Sequence, residues 1–329
     1  MIPAIRDRVV QGALTLILEP IFEADFHPGS YGYRPQKSAH EAVQRVAEAI
    51  LEGKTSVIDL DLTAYFETIR HHQVLARVAQ RINDAQVLHL RKLLLTAAGK
   101  QGIPQGAVPS PLISTLSLNE VDRMLERAKA VTRIGKRTAV EYCRFADDLV
   151  VLIGPYPRQQ WLRQAVETRL RQELARLQVE VNESKSRRVD LTQGESVGFL
   201  GCAFRRIRTR KRRWMPLRTP LPKKRTALLR TLQEVFRRHR SRPLKGLIDE
   251  MNPILRGWVN YCAIGHSSRC FSCIRHWVDQ KIRRHLTKAQ QRQGFGWKRW
   301  NRRWLYDGCG LFDAYYVKRQ PSTKAAPVG

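Results

Sequence analysis

The sequence predicts an α+β fold, and three observations carry that prediction. Short apolar runs with strand character, such as residues 57–62 and 142–153, stand among longer amphipathic helical stretches. Strands and helices do not alternate in the regular way of a doubly wound sheet, which leaves an antiparallel sheet packed against helices. Beyond about residue 205 the chain of 329 residues changes character, to helical segments crowded with Lys and Arg.

The elements follow in order. Residues 28–35 form a turn-rich loop that holds Tyr31, Tyr33 and Arg34. Ser38-Ala39-His40-Glu41 is a capping box, and the helix it opens has apolar residues at Ala39, Ala42, Val43, Val46, Ala47 and Ile50. Gly53 is placed to end it. A short strand surrounds Asp59 and Asp61, and a second helix is expected over about 83–99. Residues 102–111 read as a rigid loop, with Ser110 able to cap the next helix and Pro111 to occupy its first position. A hairpin spans roughly 140–154. The long helix after it carries Trp161, Leu162, Ala165, Val166, Leu170, Leu174 and Leu177 on one stripe. Residues 179–181 and 196–204 read as further strands. The basic run 205–213 then meets a Pro-rich stretch, 216–222, that reads as a linker. Two more helical stripes follow, one through Ile254, Leu255, Trp258, Val259 and Cys262, the other through Ile274, Trp277, Val278, Ile282 and Leu286.

The net charge is +30 and is unevenly spread. Residues 1–199 carry 27 Lys and Arg against 23 Asp and Glu, whereas residues 200–329 carry 32 against 6. Such asymmetry points to a polyanion partner for the C-terminal part, nucleic acid before an anionic membrane surface. A disordered basic tail fits poorly, because six of the seven Trp and several periodic apolar segments lie in the same part. Trp297, Trp300 and Trp304 recur among Lys298, Arg299, Arg302 and Arg303, an interleaving that suits stacking and phosphate contact, although each Trp taken singly reads as core. No run of 18 apolar residues exists, so no membrane span is expected, and the N-terminus has no signal core. Six scattered Cys suggest reduced thiols and a cytoplasmic protein. The lone Cys270-Phe271-Ser272-Cys273 pair reads as buried helix before it reads as zinc.

Chemistry concentrates at Asp147 and Asp148, adjacent carboxylates within the apolar run 142–153. Adjacent acids repel and dislike apolar surroundings, so their burial calls for compensation. Divalent metal supplies it, and Asp oxygens suit Mg²⁺. Asp61, in the run Val57-Ile58-Asp59-Leu60-Asp61-Leu62, offers a third carboxylate for a two-ion site. The plainer reading is a hairpin whose tip is Asp-Asp.

The order of the motifs resembles the palm of reverse transcriptases. It runs from Asp61 with Phe66 five residues on, through Pro104-Gln105-Gly106 and Phe145-Ala146-Asp147-Asp148, to Asn182-Glu183-Ser184-Lys185 and Phe199-Leu200-Gly201. Tyr31-Gly32-Tyr33-Arg34-Pro35, Ser38-Ala39-His40 and residues 252–261 are similar to bacterial group II intron-encoded proteins. The resemblance covers about residues 2–320. It implies a right-hand polymerase with partial fingers (1–56) and a palm (57–207) in which 71–98 is helical. A basic linker (208–222), a helical thumb and maturase region (223–320) and a polar tail (321–329) follow.

The same resemblance implies roles. Asp61, Asp147 and Asp148 would bind two Mg²⁺ ions, and Lys185 would assist departing pyrophosphate. Phe66 would pack under the incoming sugar of a dNTP, Gln105 and Gly106 would border the new base pair, and Arg34 would approach template or triphosphate or else form a structural salt bridge. Phe199, Leu200 and Gly201 would support the primer strand. Arg210, Lys211, Arg212, Arg213, Arg275, Arg283, Arg284, Lys298 and Arg299 would meet RNA. The partners implied are a group II intron RNA and an RNA template carrying a DNA primer. Phe145 stands where the family has Tyr, which removes a hydroxyl and keeps the ring. Family members also have a finger segment before Ile2-Pro3, so the chain is expected to be truncated there. A catalytically impaired splicing factor is the alternative function. No Cys/His endonuclease is expected after residue 320.

Overall fold

The computed structural model describes residues 4–318, apart from 97, 98, 100, 105, 155–159, 241, 242, 292 and 295. Two compact units divide the chain, Met1–Leu200 with Arg205–Pro216, and Gly201–Phe204 with Leu217–Gly329.

In the first unit, helix α1 (Ile5–Glu23) precedes α2 (Ala39–Leu51) and strand β1 (Ser56–Leu60). The short α3 (Tyr65–Thr68), α4 (His71–Ala79), α5 (Ala85–Thr96) and the long α6 (Ser110–Val131) follow. A small ribbon, β2 (Arg133–Ile134) and β3 (Arg137–Thr138), leads into β4 (Val140–Phe145) and β5 (Asp148–Ile153), then α7 (Gln160–Arg176) and β6 (Arg187–Asp190). Four strands form an antiparallel sheet in the order β4-β5-β1-β6. Leu149 to Ile153 are all buried, as a continuous apolar run must be when both faces are covered. Helix α2 packs on β4 and β5, and α6 on β4 and α7.

The capping box at Ser38 forms as read, with Glu41 N–H donating to Ser38 Oγ and Ser38 N–H to Glu41. Ser110 does not cap α6. Its hydroxyl donates to the Pro104 carbonyl at 2.8 Å and so ties the preceding loop to the helix start. Residues 179–181 make only an isolated bridge, Leu62 to Val181. Trp161, expected on the buried stripe of α7, is 63% exposed. Residues 97 and 98, within the expected second helix, and the whole of the tail, 321–329, lie outside the described residues.

The largest correction concerns residues 208–222, which are not a linker. β7 (Val197–Phe199), β8 (Cys202–Arg208) and β9 (Trp214–Pro220) form a three-stranded sheet in that order. Pro216 and Pro220 sit in its edge strand, where a missing N–H is tolerated, and Pro222 opens α8 (Pro222–Arg238).

In the second unit α8, α9 (Leu244–Cys262) and α10 (Ser268–Ala289) gather Leu228, Leu232, Leu247, Met251, Leu255, Ile274, Val278 and Ile282 into one core. Trp300, Leu305 and Leu311 complete it from the C-terminal segment.

Candidate active site

The strand register builds the site. Leu60 of β1 pairs with Leu149 of β5, so one step further along Asp61 stands opposite Asp148. On the other side Asp59 pairs with Arg187 of β6; beyond that pair the register shifts, and Leu62 bridges Val181. Lys185 Nζ lies 3.4 Å from Asp61 Oδ2. Asp61 N–H donates to Ser186 Oγ at 3.1 Å, and its carbonyl accepts from Asn182 N–H at 2.8 Å. Asp61, Asp148 and Lys185 therefore share one end of the sheet. Asp147 joins them from the turn that links Phe145 to its partner Asp148.

That turn is held from behind. Ala146 is left-handed, with φ of 57°. Arg144, fully buried, donates through Nη1 to the Ala146 carbonyl at 3.0 Å, through Nε to Asp122 Oδ1 at 2.9 Å, and through Nη2 to Asp122 Oδ2 and to Ser30 Oγ. Asp122 comes from α6, whose stripe of Leu118, Val121 and Leu125 is buried at about 1.5–3 kcal/mol per side chain. That gain draws the acid into the core, and Arg144 compensates the charge there. Residues 29–32 lie across the turn. Tyr31 N–H donates to the Arg144 carbonyl at 2.8 Å, and Arg144 N–H to the Gly29 carbonyl at 2.9 Å. A side chain at Gly32 would come within 2.2 Å of the Ala146 nitrogen, so only glycine permits this approach.

Among the described residues, no three Asp, Glu, His or Cys side chains converge into a ready-made metal cluster. The donors suit Mg²⁺ in kind, being carboxylate oxygens brought to one sheet end by the backbone. Asp59 belongs to the support, with Arg187 Nε 3.1 Å from its Oδ2, and burial holds its carboxyl above the ordinary range.

Phe66, half-buried in α3, lies edge-on to Tyr65, and its carbonyl accepts from Ile103 N–H at 2.8 Å. The loop after α5 is thereby fastened beside it, with Gly102 N–H donating to the Ile69 carbonyl at 2.8 Å. Gln105 lies outside the described residues. Gly106 has φ of 87° and open space where a side chain would stand. Phe199 is buried, and Leu200 and Gly201, both left-handed, turn β7 into β8.

Three assignments change. Arg34 does not face a nucleotide. Its guanidinium is 7% exposed and holds Glu23 at 2.6 Å and the carbonyls of His27 and Ser30, so the structural salt bridge is the role it fills. Arg283 is buried too, donating to the carbonyls of Trp300 and Asp279 under the Trp297 ring, which makes it core and not an RNA contact. Arg275 is half-buried and engaged by Tyr306. Arg210, Lys211, Arg212 and Arg213 crown the exposed tip of the β8–β9 hairpin, and Arg284, Lys298 and Arg299 are exposed in the second unit.

Sequence reasoning passed over Arg144, Asp122, Ser186 and Gly32. A lone acid on the apolar face of α6 and a lone Arg within an apolar strand were the signals available.

Comparison with known proteins decides the family. The family described as reverse transcriptase (RNA-dependent DNA polymerase) matches residues 1–204, and the group II intron maturase-specific domain matches residues 225–306. The chain belongs to the reverse transcriptase family. The chain is 37% identical over 188 residues to protein YkfC of Escherichia coli, covering 46% of this chain and 49% of that protein. It is 29% identical over 137 residues to the group II intron-encoded protein LtrA of Lactococcus lactis, covering 39% and 23%. Among solved structures, a telomerase from Candida tropicalis has a TM-score of 0.47 at 12% identity, over 75% of this chain and 44% of that one. The chain spans about half or less of the length of these curated relatives. Reverse transcriptases as a family use divalent metal ions.

Proposed function

We propose that this chain is an RNA-directed DNA polymerase of the group II intron type that also assists splicing of a group II intron RNA. The register of β1 on β5, which ends beside Asp61 and Asp148, together with the ion pair of Lys185 to Asp61, supports it most. Asp61, Asp147 and Asp148 would hold two Mg²⁺ ions, whose chemistry there would be to lower the pKa of a primer 3′-hydroxyl and to neutralise charge on the triphosphate. Lys185, ion-paired to Asp61, would assist the departing pyrophosphate. The Phe66 ring and the Gly106 loop, fastened together by the Ile103 hydrogen bond, form the side against which dNTP and template base pair would rest. The exposed cations of the β8–β9 tip, and separately those of the second unit, would each meet RNA phosphates.

Primer extension on poly(rA)/oligo(dT) with Mg²⁺ tests the reading. Synthesis by the wild type that disappears in Asp147→Ala is the expected result. Wild-type protein that binds RNA and accelerates splicing, yet makes no more DNA than Asp147→Ala, would leave the splicing-factor role alone.

A further inference from the structure

Phe66 stands on α3, a helix of four residues entered through the left-handed Ala64, with no side-chain cap among the described residues. One turn of helix does not hold its own shape in water, so the ring keeps its place only through ties to the rest of the fold. Its neighbour Tyr65, 2% exposed, donates its hydroxyl to the Ser114 carbonyl of α6 at 2.8 Å. The other ties run to the loop after α5. Ile103 N–H donates to the Phe66 carbonyl and Gly102 N–H to the Ile69 carbonyl, each at 2.8 Å.

Gly102 is the joint of that contact. Its φ is 80°, and a side chain there would come within 2.7 Å of the Glu67 carbonyl oxygen, so the bare backbone lies against α3. The Gly102 carbonyl is held in turn by His71 Nε2, 2.6 Å away in a buried hydrogen bond. A carbonyl only accepts, so this ring nitrogen carries the hydrogen. His71 is itself 7% exposed and opens α4, whose Val74 and Val78 are set in the core. It is a fixed post from which the loop hangs. Further along, the Pro104 carbonyl accepts from Ser110 Oγ at 2.8 Å and from Ala107 N–H at 3.2 Å, which closes the turn around Gly106.

We propose that His71 is a positioning residue for the incoming nucleotide. By holding the Gly102 carbonyl it fixes the separation between the Phe66 ring and the Gly106 loop, and with it how closely a deoxyribose is gripped and a ribose refused. This rests on the reading of Phe66 and Gly106 as the nucleotide side of the site, and goes beyond it in tracing their separation to one buried imidazole. A ribose differs from a deoxyribose by a single oxygen, so refusing it calls for walls placed to within about 0.5 Å. Without His71 the buried Gly102 carbonyl loses its partner, and the loop must shift to find another.

Steady-state primer extension on poly(rA)/oligo(dT) with Mg²⁺, using dUTP and UTP, tests this on wild type, His71→Ala and His71→Gln. The two nucleotides differ only at the 2′-position, and the Gln amide keeps a donor at about the reach of Nε2. In His71→Ala the KM for dUTP is expected to rise about threefold to tenfold, the range that one buried hydrogen bond spans, and the preference for dUTP over UTP to fall by a similar factor. The kcat with dUTP should stay within about twofold, the pattern of lost ground-state binding. His71→Gln should return both values to within about twofold of wild type. KM does not depend on the folded fraction, so partial unfolding cannot imitate this result. A lowered melting temperature with KM and sugar preference unmoved would make His71 structural only and overturn the proposal. Equal losses in His71→Ala and His71→Gln would overturn it as well. If His71→Ala does not fold, His71→Asn, whose amide stops short of the Gly102 carbonyl, takes its place in the same comparison. Wild type that makes no DNA would sink the polymerase reading and this proposal with it, whereas active wild type with an unmoved KM in the variants sinks this proposal alone.

Discussion

Arg144 grips both carboxylate oxygens of Asp122, 2.9 Å from Nε to Oδ1, and with its remaining amino group fixes the carbonyl of Ala146. A buried ion pair thus stands directly behind the turn that presents Asp147. Removing one partner strands the other charge in the core, at a cost of about 3–5 kcal/mol. Asp122→Asn is expected to lose that much in urea unfolding, and Arg144→Lys to fare little better because an ammonium cannot reproduce the fork. A change below about 1 kcal/mol would mean that the pair is dispensable.

Asp61→Asn and Asp147→Ala remove groups at the exposed end of the sheet, away from the core. DNA synthesis is expected to fall by on the order of 10³-fold or more, the scale of charge-stabilising groups in phosphoryl transfer. The melting temperature should hardly move. Stopped-time primer extension beside a thermal melt reads both.

Asp59 carries a pH signature. Burial raises its carboxyl pKa in the folded chain above the ordinary value of 3.8, against the opposing pull of Arg187. A raised folded pKa means that the group favours folding only while protonated. Its contribution is complete below the unfolded pKa and is lost as pH rises through the folded one. Asp59→Asn is therefore expected to stabilise the protein at neutral pH, with the gain shrinking as pH falls towards 4. Urea midpoints across that range check the trend, and a pH-independent difference would contradict it.

The basic residues divide into two kinds. Replacing Arg210, Lys211, Arg212 and Arg213 with Gln should leave folding intact and flatten the dependence of log RNA affinity on log salt by about 0.7 per lost phosphate contact on single strands. Arg283→Met should unfold the helical unit at lower temperature, since Arg283 is 1% exposed and bonded to two carbonyls. Filter binding across a salt series and thermal melts separate the two effects.

Much of this was legible in advance because it rests on local patterns. The apolar run 142–153 announced a strand hairpin, and Ser38 with Glu41 announced a helix start. Asp61 and Asp148 could be singled out as acids in apolar runs, but their pairing depends on a register between segments almost ninety residues apart. The β8–β9 hairpin was hidden by its prolines, which mark a linker and an edge strand alike. Arg34 and Arg283 show the harder limit. A guanidinium facing phosphate and one facing carbonyls look identical in sequence, and only packing tells them apart.

The contact between Gly32 and the backbone of Ala146 has a kinetic corollary. Ser30 and Arg144, which meet beside it, are 114 residues apart in the chain. Ring closure over that span is slow to nucleate, so the acidic bend should acquire its final shape late, when the globule is already nearly assembled. A peptide spanning only residues 140–153 would then hold the motif's letters without its conformation.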